Sequence, residues 1–296
     1  MILSIGDSVV WGQGLKEEHK FDSLFAAHQN LPLVRRAHSG AVIGTRIDSS
    51  KETEVGEIPV AWPSLWQQVL AQQEWSHIEV VLLNGGINDV SLTRILNPVT
   101  STSQLNGWVN QFCNIAMQDL LSFLTNTLRG SSTKIAILGY YPILSEQSGG
   151  TDKQIKSYLE VHGVSTQSVV APEKISIRSI APRVVENCLQ FWKSSSAALQ
   201  LAVEKTNKVA GTEICRFVQL PFSELNAMWA PQSLLWELNP ILLPEDEVAE
   251  PRCNACEELY GDIVHLPQWI QCDRASAGHP NIAGAMSIAE VLDAMF

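Results

Sequence analysis

The run Met1-Ile-Leu-Ser-Ile-Gly-Asp-Ser-Val-Val-Trp-Gly12 decides how the chain is read. Ile2–Ile5 is a short apolar stretch with the composition of a buried strand, and it stops at a glycine. Gly6-Asp7-Ser8 follows at once, so these residues sit at the carboxyl end of the first strand. A serine in that place is ordinarily the cap of the next helix. Its other use is as a nucleophile, and that requires a base and oxyanion donors brought from elsewhere in the chain.

The pattern of a short apolar run followed by a turn recurs along the chain. Strands are expected at Ile2–Ile5, Leu33–Ala37, Ile78–Asn84, Lys134–Tyr140 and Arg216–Leu220. Helical periodicity marks Ser64–Gln73, Leu105–Leu128, Pro182–Ala210 and Asn281–Met295. Strands separated by helices pair in parallel, with helices on both faces. The unbroken apolar character of Val80–Leu83 and Ile135–Leu138 fits central strands covered on both sides. The expectation is one α/β domain over residues 1–296, a three-layer α/β/α flavodoxin-like fold on five parallel strands. Two stretches break the rhythm, at about 143–181 and 221–270. Both follow strands, so both are read as insertions at the carboxyl edge of the sheet, where open α/β sheets bind ligands.

Composition excludes several classes. Hydrophobic residues make up 45% of the 296, enough for a large core, and the net charge of −11 disfavours nucleic acid or an anionic bilayer as the main partner. No apolar run approaches the ~20 residues of a spanning helix. Met1 opens directly on a strand, without a signal-like region, which points to a cytoplasmic protein unless a leader was removed.

Four polar islands lie at strand ends or before the last helix: Gly6-Asp7-Ser8, His38-Ser39-Gly40, Gly85-Gly86-Ile87-Asn88-Asp89 and Gly278-His279-Pro280-Asn281. Taken singly each has a plain structural use, as a cap or a turn. In this order and at these strand ends, they resemble the conserved blocks of the SGNH (GDSL-type) hydrolase family, serine esterases and lipases. The resemblance implies Ser8 as nucleophile and His279 as general base. It also implies an oxyanion hole made by the backbone N–H groups of Ser8 and Gly40 and the side chain of Asn88. Asp7 and Asp89 are expected to brace the loops.

One position departs from the family pattern. The aspartate expected three residues before the histidine is replaced by Ser276, in Asp273-Arg-Ala-Ser-Ala-Gly-His279. Either the backbone carbonyl of Ser276 or the carboxylate of Asp273 could accept from Nδ1 and leave Nε2 free to take the serine proton. Spacing favours the carbonyl, and that reading expects Asp273→Asn to keep most of the activity.

Other motifs fail. No Gly-x-Ser-x-Gly elbow occurs, and the glycines of Gly6–Gly14 make neither a Walker loop nor a dinucleotide fingerprint. Of six cysteines, Cys113, Cys188 and Cys215 read as buried free thiols, while Cys253, Cys256 and Cys272 could be free, bridged or, with His265, ligands of a zinc ion. The proposed chemistry needs no metal or organic cofactor. Trp11 and the aromatic-rich run Pro221–Trp236 are either loop anchors or walls of an acyl pocket.

The expected activity is hydrolysis of small or medium-chain carboxylic esters through an acyl-enzyme. An acyltransferase, a carbohydrate O-acetylesterase and a non-catalytic carbohydrate- or lipid-binding relative are the alternatives. The sequence does not indicate an oligomeric state.

Overall fold

The computed structural model describes residues 1–46, 64–164, 177–238 and 274–296. Five parallel strands form one sheet: β1 (Ile2–Ile5), β2 (Leu33–Arg35), β3 (Val80–Leu83), β4 (Lys134–Leu138) and β5 (Cys215–Val218), in the order β2-β1-β3-β4-β5. Every residue of β1 and β3 is buried, as the continuous apolar runs require of strands covered on both faces. The chain therefore has the doubly wound α/β/α architecture expected from the strand–helix alternation.

Two helix groups cover the sheet. In the first, α2 (Phe21–Gln29) packs against the last helix, α10 (Ile282–Asp293). In the second, a continuous helical run formed by α6 (Thr102–Val109), a π-helical stretch (Asn110–Ala116) and α7 (Met117–Thr127) packs against the 34-residue α9 (Ile177–Ala210). Short helices α1 (Ser8–Trp11), α3 (Leu65–Leu70), α4 (Ile87–Val90) and α5 (Leu92–Ile95) complete the strand-end loops.

The stretch 143–181 holds more regular structure than its polarity suggested. Thr151 caps α8 (Asp152–Val161) through a capping box with Gln154, and α9 begins at Ile177, ahead of Pro182. The first loops of this stretch are laced to the next one. Met228 N–H donates to the Ile143 carbonyl at 3.0 Å, Gly149 N–H to that of Trp229 at 2.8 Å, and Ser145 Oγ to that of Glu224 at 2.6 Å.

Sheet order fixes where the site can be. β1 lies between β2 and β3, with Ser4 opposite Arg35 and Ile5 opposite Leu83. The chain leaves β2 and β3 in opposite lateral directions from β1, which makes the β1/β3 boundary the switch point of the sheet. Three of the polar islands emerge around it.

Candidate active site

Ser8 is the first residue of α1 and is 7% exposed. Asp7 caps that helix, its Oδ1 accepting from Val9 N–H at 2.9 Å, and Gly12 ends it in the left-handed conformation at φ 73°. The backbone just before the serine is gripped by Gln68 of α3. Gly6 N–H donates to Oε1 at 2.9 Å, and Nε2 donates to the Gly6 carbonyl at 3.0 Å. Gly6 itself has no room for a side chain, since a Cβ there would lie 2.9 Å from the Asn84 carbonyl oxygen.

His279 arrives from the far end of the chain, its Nε2 2.7 Å from Ser8 Oγ. Its loop is zipped against the segment Leu234–Trp236. Asn281 N–H donates to the Leu234 carbonyl at 2.9 Å, Trp236 N–H to that of His279 at 2.7 Å, and Gly278 N–H to that of Trp236 at 2.8 Å. Leu235 and Pro280 form an antiparallel bridge, and Asn281 caps α10 by accepting from Gly284 N–H at 2.9 Å.

Loss of water around the ring lowers the His279 pKa to about 4, the main cause being desolvation of the charged form. The carbonyls of Ser276, Ala275 and Ala277 partly offset this by favouring the imidazolium. Nδ1 is buried and makes no hydrogen bond among the described residues, while the Ser276 carbonyl accepts the backbone N–H of His279 at 2.9 Å. Asp273, the other candidate for orienting the ring, lies outside the described residues, as do Cys253, Cys256, His265 and Cys272. Cys113, Cys188 and Cys215 are buried free thiols.

The other two strand-end loops are tied to each other. Asn88, on α4, donates one amide hydrogen to the Ala41 carbonyl at 2.9 Å, and the Asp89 carboxylate accepts from Ile43 N–H at 3.0 and 3.2 Å. An amide nitrogen carries two hydrogens, so Asn88 keeps a second donor. Gly40, at φ 78°, turns the loop, and neither its N–H nor that of Ser8 enters a hydrogen bond among the described residues. Ser8, Gly40 and Asn88 thus each hold a donor in reserve at neighbouring strand ends.

A second layer, unforeseen in the sequence, joins the loops from beneath. Tyr140, just after β4, donates to Asp7 Oδ2 at 2.8 Å and accepts from Ile87 N–H at 3.0 Å. Asp7 is fully buried, and desolvation raises its pKa to about 6 against the opposing pull of Val9 N–H and Tyr140. Burial raises that of Asp89 to about 6 as well. Both carboxylates spend their oxygens on backbone and tyrosine donors, which is a bracing arrangement.

Among the described residues of the second insertion the aromatic side chains are anchors: Phe222, Trp229 and Trp236 are all buried. Trp11 stacks on His38 with ring centroids 4.5 Å apart, and Lys20 Nζ lies 3.8 Å from its centroid. One further histidine is part of this neighbourhood. His162, at the end of α8, has its pKa lowered to about 4 by burial and then by the charge of His279. No motif marks it, because its position depends on α8 returning to the site.

The sheet order β2-β1-β3-β4-β5, the polar loops at its carboxyl edge and the Ser8–His279 contact coincide in one molecule. No family model and no curated protein matches the chain. Among solved structures it is similar to a protein from Agrobacterium tumefaciens str. C58 described as an arylesterase, at 12% identity and a TM-score of 0.43, over 99% of this chain and 96% of that one. A carbohydrate esterase family 2 enzyme with a carbohydrate-binding domain, from Corynascus thermopiles (Myceliophthora fergusii), aligns at 12% identity and a TM-score of 0.41, over 99% of this chain and 64% of the other. A protein from Parabacteroides merdae described as a GDSL-like lipase aligns at 14% and 0.36, over 98% and 92%. Among the described residues no helix is long and apolar enough to cross a membrane.

Proposed function

We propose that the protein is a serine carboxylic-ester hydrolase acting through an acyl-enzyme on small or medium-chain esters. The observation that carries this reading is the 2.7 Å contact between His279 Nε2 and Ser8 Oγ. A hydroxyl is a poor nucleophile until a base removes its proton, and a neutral imidazole at hydrogen-bond distance is such a base.

In the first half-reaction Ser8 Oγ bonds to the ester carbonyl carbon as its proton passes to His279 Nε2. The carbonyl oxygen takes the negative charge and is held by the N–H groups of Ser8 and Gly40 and the second amide hydrogen of Asn88. The carbon–oxygen bond to the alcohol then breaks, and His279 returns the proton to the leaving oxygen. Water repeats the sequence, releasing the acid and restoring Ser8. The imidazolium formed on the way is stabilised by the oxyanion beside it and by the carbonyls around the ring. We assign the orienting role to the Ser276 carbonyl, which would accept from Nδ1–H in the substrate complex.

The test is detection of the intermediate. Rapid mixing with p-nitrophenyl acetate is expected to give a burst of nitrophenol, with one acetyl group found on the Ser8 peptide by mass spectrometry. Turnover with the acetyl group on a different residue would overturn the assignment.

A further inference from the structure

Resting on that reading, we propose that Trp11 and His38 are a positioning pair that sets the oxyanion hole. Their stacked rings hold the Gly40 N–H within reach of the same substrate oxygen as the Ser8 N–H.

The need for such a device comes from the chemistry. Two N–H groups stabilise a developing oxyanion together only when both meet it at hydrogen-bond distance. Ser8 and Gly40 lie on different loops, so the spacing between those loops must be fixed. The backbone of the second loop follows that of the first as far as His38, whose N–H donates to the Gly6 carbonyl at 3.0 Å. Beyond that bond the loop could swing about it. A contact displaced to one side of the bond removes that freedom.

The Trp11–His38 stack is such a contact. The ring centroids are 4.5 Å apart and the planes differ by 9°. Trp11 closes α1, the single turn that Ser8 opens, and its N–H donates to the Asp7 carbonyl at 2.9 Å. His38 opens a β-turn that Ala41 closes, with Ala41 N–H donating to the His38 carbonyl at 3.2 Å. Gly40 is the third residue of this turn, at φ 78°, a conformation that favours glycine. The Ala41 carbonyl in turn accepts from Asn88 Nδ2 at 2.9 Å. The turn that carries the Gly40 donor is thus pinned to the nucleophile helix at its first residue and to Asn88 at its last.

Burial separates this role from that of a core anchor. Val9 and Val10 already fix α1 in the core, at 2% and 0% exposed, whereas Trp11 is partly exposed. Its ring meets His38 and the Lys20 ammonium, whose Nζ lies 3.8 Å from the ring centroid. Lys20 is buried, and its stem packs on Gly12, where a Cβ would lie 2.7 Å from Lys20 Cγ. A desolvated cation over the indole is a stronger hold than an exposed one, and it keeps the ring in the plane on which His38 stacks.

The experiment compares p-nitrophenyl acetate with its thiono analogue, in which sulfur replaces the carbonyl oxygen. Sulfur is the weaker hydrogen-bond acceptor, so the thiono ester draws less on the oxyanion donors. Both are assayed on wild type, Trp11→Leu, His38→Leu and Trp11→Phe, with rates normalised to active sites counted by fluorophosphonate. The two leucine variants break the stack from opposite sides, so either one suffices if the other does not fold. Each is expected to lower kcat on the oxygen ester by about 10–100-fold, the cost of a donor displaced rather than removed, with KM nearly unchanged. The thiono ester should lose much less, so the oxygen-to-sulfur ratio of kcat/KM falls. Trp11→Phe retains a ring for His38 and should recover most of the rate and of the ratio. Equal losses on the two esters, or a loss in Trp11→Phe as large as in Trp11→Leu, would overturn the proposal and leave the stack a packing contact. Wild type that neither turns over an ester nor takes the label would instead refute the Ser8–His279 reading on which this one rests.

Discussion

His279 Nε2 lies 2.7 Å from Ser8 Oγ although 271 positions separate the two residues. The contact depends on two independent devices. Gln68 and Asp7 fix the turn that presents the serine, and the Leu234–Trp236 segment fixes the loop that presents the histidine. Each can be perturbed separately.

Asn88→Ala removes one proposed oxyanion donor. The expected result is a fall in kcat of about 10²–10³ with a smaller change in KM, because the donor acts on charge that develops after binding. Steady-state kinetics on a soluble acetate ester measure it, and an effect confined to KM would contradict the assignment.

The pH profile should be shifted to acid. His279 must be neutral to accept the serine proton, and burial holds its pKa at about 4 rather than the ordinary 6.5. The acidic limb of kcat/KM is therefore expected near pH 4, with activity retained through pH 5 to 6. A limb at 6.5 or above would mean that a carboxylate partner raises the histidine.

Stability should carry the signature of the buried carboxylates. The Asp7 pKa rises from 3.8 to about 6 in the folded protein, so between those values the native state binds more protons than the unfolded one. Stability contributed by this group is full below about pH 4 and is lost as pH rises through about 6. Asp7→Asn keeps an acceptor for Val9 N–H and should remove that part of the slope. Urea midpoints at pH 4.5 and 7 compare the two, and an unchanged difference would refute the account of Asp7.

Gly284→Ala tests the zipper behind His279. A Cβ at this position would fall well inside contact distance of the Leu234 carbonyl oxygen, which is backbone and cannot swing away. Destabilisation of about 1–3 kcal/mol is expected from overpacking. Activity of the folded fraction should fall as well, because the displaced Leu234–Trp236 segment carries the hydrogen bonds that hold the His279 loop. Denaturation together with active-site titration separates the two effects.

What the sequence made legible follows from locality. Ile2–Ile5 and Val80–Leu83 are buried on both faces and therefore apolar throughout, so their pattern and the turns after them could be read directly. The placing of Ser8, Gly40 and Asn88 at adjacent strand ends then followed from parallel topology. The supporting contacts were not legible. Gln68 grips Gly6 across 62 positions and Tyr140 reaches Asp7 across 133, and nothing local distinguishes either residue from its neighbours. His162 lay in a stretch whose polarity hid α8, although the Thr151–Gln154 capping box was available to find it. The tryptophans of Pro221–Trp236 were ambiguous because a loop anchor and a pocket wall demand the same side chains, and only burial separated them.

The central claim, that Ser8 is a nucleophile activated by His279, is tested most directly by fluorophosphonate labelling. Wild type should take up one equivalent of label on Ser8 and lose its esterase activity in proportion. Ser8→Ala and His279→Ala should label at background and turn over ester at least 10³-fold more slowly, with the double variant no worse than either single one. Full ester turnover by Ser8→Ala, or labelling that survives in it at the wild-type rate, would contradict the account.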